Sequence, residues 1–162
     1  MNKGIYTALF SILFAQALKI PIHYVKTKKW NPLLFFQTGG MPSSHSAGVS
    51  SLTTFIALKR GIPTIDFALS FVFGLIVMYD AQGIRRQTGE LTLKVNSLDE
   101  LVRKTHDHEK IPFEEKQPTK LKEMLGHKPE EVIGGGILGI LFGLIGFLIS
   151  KKDRQKRRFF VR

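Results

Sequence analysis

Three short polar stretches interrupt a largely apolar sequence, and each holds groups that could move a proton or hold an anion. The first is Gly39-Gly40-Met41-Pro42-Ser43-Ser44-His45-Ser46-Ala47. Glycines and proline make a turn, and serines then open a helix. A helix start leaves backbone N–H groups unpaired, with the positive end of the helix dipole behind them, so an anion can rest there. Ser43 and Ser44 can cap the helix or donate to an oxyanion, and His45 could protonate a leaving group. An ordinary serine-capped helix with a surface histidine would have the same residues.

The second stretch is Asp80-Ala81-Gln82-Gly83-Ile84-Arg85-Arg86. Guanidinium groups make paired hydrogen bonds to phosphate oxygens, and Asp80 could hold one arginine in place. Two arginines at a membrane boundary could equally anchor to headgroups. The third is Gly126-His127-Lys128-Pro129-Glu130-Glu131. Pro129 suits a first helical position, and Glu130 and Glu131 suit the positive helix end. His127 and Glu131 stand four apart and could meet across that first turn. A carboxylate on one imidazole nitrogen fixes the tautomer and leaves the other nitrogen free as a nucleophile. A plain helix start is the bland alternative.

The elements that must position these groups are read from where charge is missing. The chain has 162 residues, 24 Lys plus Arg against 13 Asp plus Glu, and a net charge of +11. That length accommodates one domain. Cysteine is absent, which excludes disulfides, thiolate metal sites and cysteine nucleophiles. A mean hydropathy of +0.01 conceals uneven patterning. Residues 4–18, 67–79 and 132–150 carry no charge, and between 30 and 58 the only ionisable group is His45. A membrane-spanning helix needs about 20 mostly apolar residues. The last run meets this alone. The first does so if Lys19 faces a polar interior or an end, and the third if it begins near Ile62. Residues 46–58 are short and rich in Ser and Thr, and join the bundle because their neighbours require it.

The expected fold is therefore all-α: a polytopic membrane bundle of about four transmembrane helices with a polar helical insertion. Residues 1–150 form one membrane-embedded domain, with the insertion at about 88–126, and 151–162 form a basic tail. Leu91, Val95, Leu98 and Val102 recur at helical spacing, which predicts a surface helix lying against the bundle. A charged loop follows at 111–118, then another helical turn at 120–125. His106-Asp107-His108 has generic spacing, so a solvated loop is read there and no metal site. Gly135, Gly139 and Gly143 form a small-residue ridge on which another helix can pack, and a homo-oligomer through this last helix is expected.

Four spans put the three polar stretches, with Lys26, Lys28 and Lys29, on one side. The basic tail and the N-terminus share the other. The positive-inside rule makes the tail side cytosolic and the candidate site non-cytosolic, in an integral protein of the cell membrane. The basic residues flank apolar spans and no nucleic-acid motif is present, so no nucleic-acid partner is expected.

The order of a lysine, then PSSHSA, an arginine and GHKPEEV resembles the phosphatidic acid phosphatase type 2 superfamily, which is related to vanadium haloperoxidases. More closely, GGMPSSHSA, MYDAQGIRRQTGE and LGHKPEEVIGG are similar to its small, divergent membrane branch, over about Phe14 to Leu148. The resemblance implies hydrolysis of phosphomonoesters or pyrophosphates, often of lipids, without metal or other cofactor. The implied partners are a phosphate-bearing lipid or a small phosphomonoester, and the membrane.

Carried over by motif, His127 is the nucleophile, Glu131 orients it, and His45 is the general acid. Ser43, Ser44, one of Arg85 or Arg86, and one of Lys26, Lys28 or Lys29 bind phosphate, with Asp80 in support. The chain departs from the pattern at several points. Ser44 stands where the family has glycine, and Glu131 where it has aspartate. No Arg-Pro pair follows the lysines. About forty residues separate the arginines from His127 where the family has a few. The superfamily's usual fold also has more helices. These departures motivate one alternative, a non-catalytic membrane protein binding phosphate or lipid headgroups; the glycine ridge and the basic tail motivate another, a structural or assembly subunit.

Overall fold

A computed structural model describes the backbone of residues 2–109, 121 and 126–160. The expected loop at 111–118 and most of the turn at 120–125 lie outside the described residues, as do the side chains of His106, Asp107 and His108. Helix α1 (Lys3–Thr27) starts on the Asn2 side chain, which accepts from the Gly4 amide at 2.9 Å. It ends at Lys28, whose φ of 58° lets its amide reach the Tyr24 carbonyl at 2.8 Å. A short 3-10 turn (Pro32–Phe36) leads to α2 (Ser44–Arg60). Helix α3 (Ile65–Gln82) is capped by Thr64, α4 (Ile84–Glu109) follows directly, and α5 (Pro129–Phe160) completes the chain.

The architecture is an all-α membrane bundle. Three stretches are long and apolar enough to cross a bilayer: Lys3–Thr27, Ile65–Val102 and Pro129–Lys152. Large apolar side chains such as Leu13, Phe73, Ile137 and Leu148 point outward and are exposed. That outward apolar surface is what a helix bundle presents to lipid.

Helix α2 has 17 residues, yet it sits at the centre, packed against α1, α3 and α5. Its buried face is Ser44, Ser46, Ala47, Gly48, Ser50, Ser51 and Phe55. Small side chains let backbones approach closely, which is how helices gain packing energy where no hydrophobic drive exists. Two of the buried hydroxyls bond to backbone carbonyls, Ser51 Oγ donating to Gly48 at 3.0 Å and Ser11 Oγ of α1 donating to Ala47 at 3.0 Å, whereas Ser46 Oγ has no partner among the described residues.

Two expectations change here. The glycine ridge of α5 packs inside the chain. A Cβ at Gly135 would fall on the Ser43 carbonyl oxygen, one at Gly139 on that of Ala47, and one at Gly143 would come within 2.7 Å of that of Ser51. The homo-oligomer expected through this ridge has no free glycine face to use, because α2 covers it. The amphipathic α4 also does not lie against the bundle. Among the described residues it packs only on α3, and Leu91, Leu98 and Leu101 are exposed. Asn96 ties it to the insertion, its side chain exchanging two hydrogen bonds with the Leu121 backbone at 3.0 and 3.1 Å. The chain then returns to where it left: at Gly126, a Cβ would collide with the Arg85–Arg86 backbone.

Candidate active site

The bundle alternates in direction, so one end gathers the late part of α1, the start of α2, the end of α3 and the start of α5. Two backbone hydrogen bonds hold these ends together. The His127 amide donates to the Ala81 carbonyl at 3.0 Å, and the Ser43 amide donates to the Glu131 carbonyl at 2.9 Å.

His127 is 2% exposed. Its Nδ1 lies 3.0 Å from Glu131 Oε2, which also accepts from the Lys128 amide at 3.2 Å. With Nδ1 donating to the carboxylate, a neutral ring carries its lone pair on Nε2. That Nε2 is buried and has no hydrogen-bond partner. The His45 ring stands beside it, with centroids 5.6 Å apart and planes at 72°, and its buried Nδ1 is likewise unpartnered. Leaving one such buried atom unpaired costs about 1–3 kcal/mol. The two lie side by side, where one polar ligand could pair with both.

Burial pushes the His127 imidazole below the usual histidine range. The hydrogen bond to Glu131 and the nearby Gly40 backbone oppose that shift, and the positive charge of Lys19 adds to it. Burial dominates, so the ring is neutral at pH 7 and its Nε2 lone pair is available.

Lys19 is the residue that sequence reasoning missed. It is 4% exposed, and its Nζ donates to the Gln37 carbonyl at 3.2 Å. It is within electrostatic reach of both imidazoles and of Glu131. Its stem passes under the Gly39-Gly40 turn, where both glycines have φ of 80° and a Cβ on Gly40 would lie 3.8 Å from Lys19 Cδ. A signal for it existed: an ionisable residue inside an apolar run is a functional candidate by default. Lys26 lies two turns further along α1, about 10 Å up the axis. Lys26, Lys28 and Lys29 are all exposed, and no described contact joins them to the imidazoles. Lys28 Nζ instead sits 6.0 Å from the Tyr24 ring.

The two arginines part ways. Arg85 Nε donates to Asp80 Oδ2 at 2.6 Å, and Arg85 and Asp80 are both electrostatic neighbours of His45. Arg86 Nε instead donates to Glu90 Oε1 at 3.0 Å, along α4. Ser43 and Ser44 are buried. The Ser43 hydroxyl accepts from the Ser46 amide at 3.3 Å, and its own amide is spent on Glu131. Ser43 therefore caps α2 and fastens it to α5. The amides of Ser44 and His45 have no protein acceptor among the described residues. They are open N–H groups at a helix start, where an anion could rest.

One end of the bundle thus combines a neutral, oriented imidazole, a second imidazole, two cations and open amides. A profile described as the divergent PAP2 family matches residues 1–142. YuiD, an uncharacterized membrane protein of Bacillus subtilis (strain 168), is 43% identical over 148 residues, covering 89% of this chain and 93% of the relative. No solved structure matches the chain.

Proposed function

This chain belongs to the divergent PAP2 family of membrane proteins, and we propose that it is a metal-independent phosphatase that cleaves a lipid-linked phosphate or diphosphate through a phosphohistidine at His127. The observation that carries this reading is the buried, unpartnered Nε2 of His127, oriented from behind by Glu131 and adjoining His45.

In the first step the Nε2 lone pair attacks phosphorus and the bond to the leaving oxygen breaks. Protonated His45 gives its proton to that oxygen. The phosphorylated ring gains positive charge, which the Glu131 carboxylate stabilises. In the second step neutral His45 takes a proton from water, the water oxygen attacks phosphorus, and the phosphorus–nitrogen bond breaks. Inorganic phosphate leaves and both rings return to their starting states. Lys19, Arg85 and the Ser44 and His45 amides hold the phosphoryl oxygens, where positioned positive charge supplies most of the catalysis.

The site's place at one end of a lipid-facing bundle favours a lipid substrate. The basic residues Lys151 and Lys152 close the apolar stretch of α5 at the end away from the site, and the positive-inside rule favours a non-cytosolic site on that ground.

The test is purified protein in detergent, given phosphatidate, a polyprenyl diphosphate and a soluble phosphomonoester between pH 4.5 and 8.5. Phosphate release with a trapped phosphohistidine is expected from at least one. If no substrate turns over and no phosphohistidine forms, the reading is lost. The pH profile follows from the site. Only neutral His127 attacks, so activity falls as pH drops through its lowered pKa. Activity also falls as rising pH deprotonates His45, whose pKa burial and the adjoining positive charges lower as well, so this limb lies below the usual histidine range. Because Glu131 holds the His127 pKa up, Glu131→Gln moves the acid limb to still lower pH while reducing the rate.

Lys19 gives a second check. Lys19→Met is expected to weaken vanadate or phosphate inhibition about tenfold or more, since it removes a buried cation from the anion site. Lys26→Met and Lys29→Met are expected to stay within about twofold, because exposed charges at that distance are screened. Equal effects at all three positions would place the phosphate elsewhere.

One observation favours a second reading, phosphate binding without turnover. The Asp80–Arg85 ion pair at 2.6 Å competes with phosphate for the guanidinium. Saturable phosphate binding that depends on Arg85, with no phosphohistidine from any substrate, would select it.

A further inference from the structure

The bundle has a concave feature at the end away from the imidazoles. A cavity of about 650 Å³ opens between the starts of α1 and α3 and the end of α2. That size lies in the range of small-molecule pockets. His45 and Lys59 are fourteen residues apart on α2, so the cavity mouth is about 21 Å from the candidate active site. Its walls are Leu52, Phe55, Ile56, Leu69 and Phe73. Leu69 and Phe73 are also exposed on the outer surface of α3, so the groove is continuous with the lipid-facing side.

The rim is charged. Lys59, Arg60 and Asp66 line it. Arg60 Nε donates to Asp66 Oδ2 at 3.0 Å, which leaves its two terminal nitrogens free of protein partners among the described residues. Lys59 has no carboxylate partner among the described residues, and its Nζ lies 5.3 Å from the Phe55 ring centroid. Burial of Phe55 at 2% exposure fixes that ring as the floor beneath the cation. The rim therefore has one more positive charge than negative, above an apolar trough open to the bilayer.

We propose that this groove binds an anionic glycerophospholipid, with one acyl chain along Leu52, Ile56, Leu69 and Phe73 and the phosphodiester at Lys59 and Arg60. A long apolar wall selects a chain-bearing molecule over free phosphate. The unpaired Lys59 selects an anionic headgroup, because a choline or ethanolamine cation would be set against its ammonium. The site is separate from the imidazole pair in position and in chemistry: no histidine lines it.

The experiment uses full-length protein in nanodiscs of phosphatidylcholine doped with a phosphatidylglycerol carrying a photoreactive diazirine in mid-chain. After irradiation, labelled residues are mapped by mass spectrometry. Labelling is expected to concentrate on Leu52, Ile56, Leu69 and Phe73, and to be displaced by unlabelled phosphatidylglycerol. Lys59→Gln should reduce it about fivefold, the size of one basic contact with an anionic lipid. Leu69→Trp, which fills the trough from an exposed position, should abolish labelling within the groove whatever the effect of the charge variant. Equal labelling by a phosphatidylcholine analogue, or labels spread evenly around the bundle, would overturn the proposal. So would displacement by inorganic phosphate, or indifference to both variants. Phosphate release is not measured, so this outcome stands apart from the catalytic reading.

Discussion

His127→Gln is expected to lower phosphate release by about a thousandfold or more, which corresponds to roughly 4 kcal/mol of barrier. Glutamine is the informative replacement. Its amide keeps a polar group of similar reach in the pocket, and the backbone bond from residue 127 to the Ala81 carbonyl is unaffected. What disappears is the nucleophilic lone pair. The cations and open amides remain, so phosphate or vanadate should still bind within a few-fold of wild type. That split between lost turnover and kept binding separates a nucleophile from a residue that merely shapes the pocket. Turnover that survives in His127→Gln would require another attacking group and would end the phosphohistidine mechanism. A thermal unfolding midpoint close to wild type checks that the fold is intact.

The second large effect is structural. Gly135→Val is expected to destabilise the protein by about 3 kcal/mol, at the upper end for overpacked cores. A Cβ there strikes the Ser43 carbonyl, a backbone atom that cannot swing aside. Ser43 is also the residue whose amide holds the Glu131 carbonyl at 2.9 Å. Separating α2 from α5 would move Glu131 and so disturb the orientation of His127, and activity should fall with stability. The neighbouring Gly136→Ala is the control. Its Cβ would meet Ser50 Oγ at an ordinary 3.7 Å. Helix propensity then predicts a small gain, up to about 1 kcal/mol. Thermal unfolding in detergent reads both. If Gly135→Val unfolds no earlier than Gly136→Ala, α5 does not pack on α2 as described.

Much of the candidate site is legible in one dimension because its parts are local. His127 and Glu131 are one helical turn apart, and a proline at the first helical position sets that turn. The Ser43 cap and the glycine turn before it are likewise written in consecutive residues. The lipid-spanning helices follow from the absence of charge, since burying an ion in hydrocarbon is too costly to be incidental. These patterns also put the three polar stretches at one end, because antiparallel spans alternate in direction.

Lateral order, depth and the use of each face depend on contacts between residues far apart in the chain, and they came only from the folded bundle. Lys19 rather than Lys26 reaches the imidazoles because the register of α1 against α2 sets which turn lies level with His45. No local pattern encodes that register. The glycine ridge announced a close helix contact, but whether its partner would be α2 or another copy was decided by packing. The spacing of Leu91, Val95 and Leu98 correctly indicated a helix with an apolar face, yet among the described residues that helix packs only on α3. Short-range geometry determines which groups can cooperate within a turn. Only the three-dimensional packing of small residues determines which turns meet.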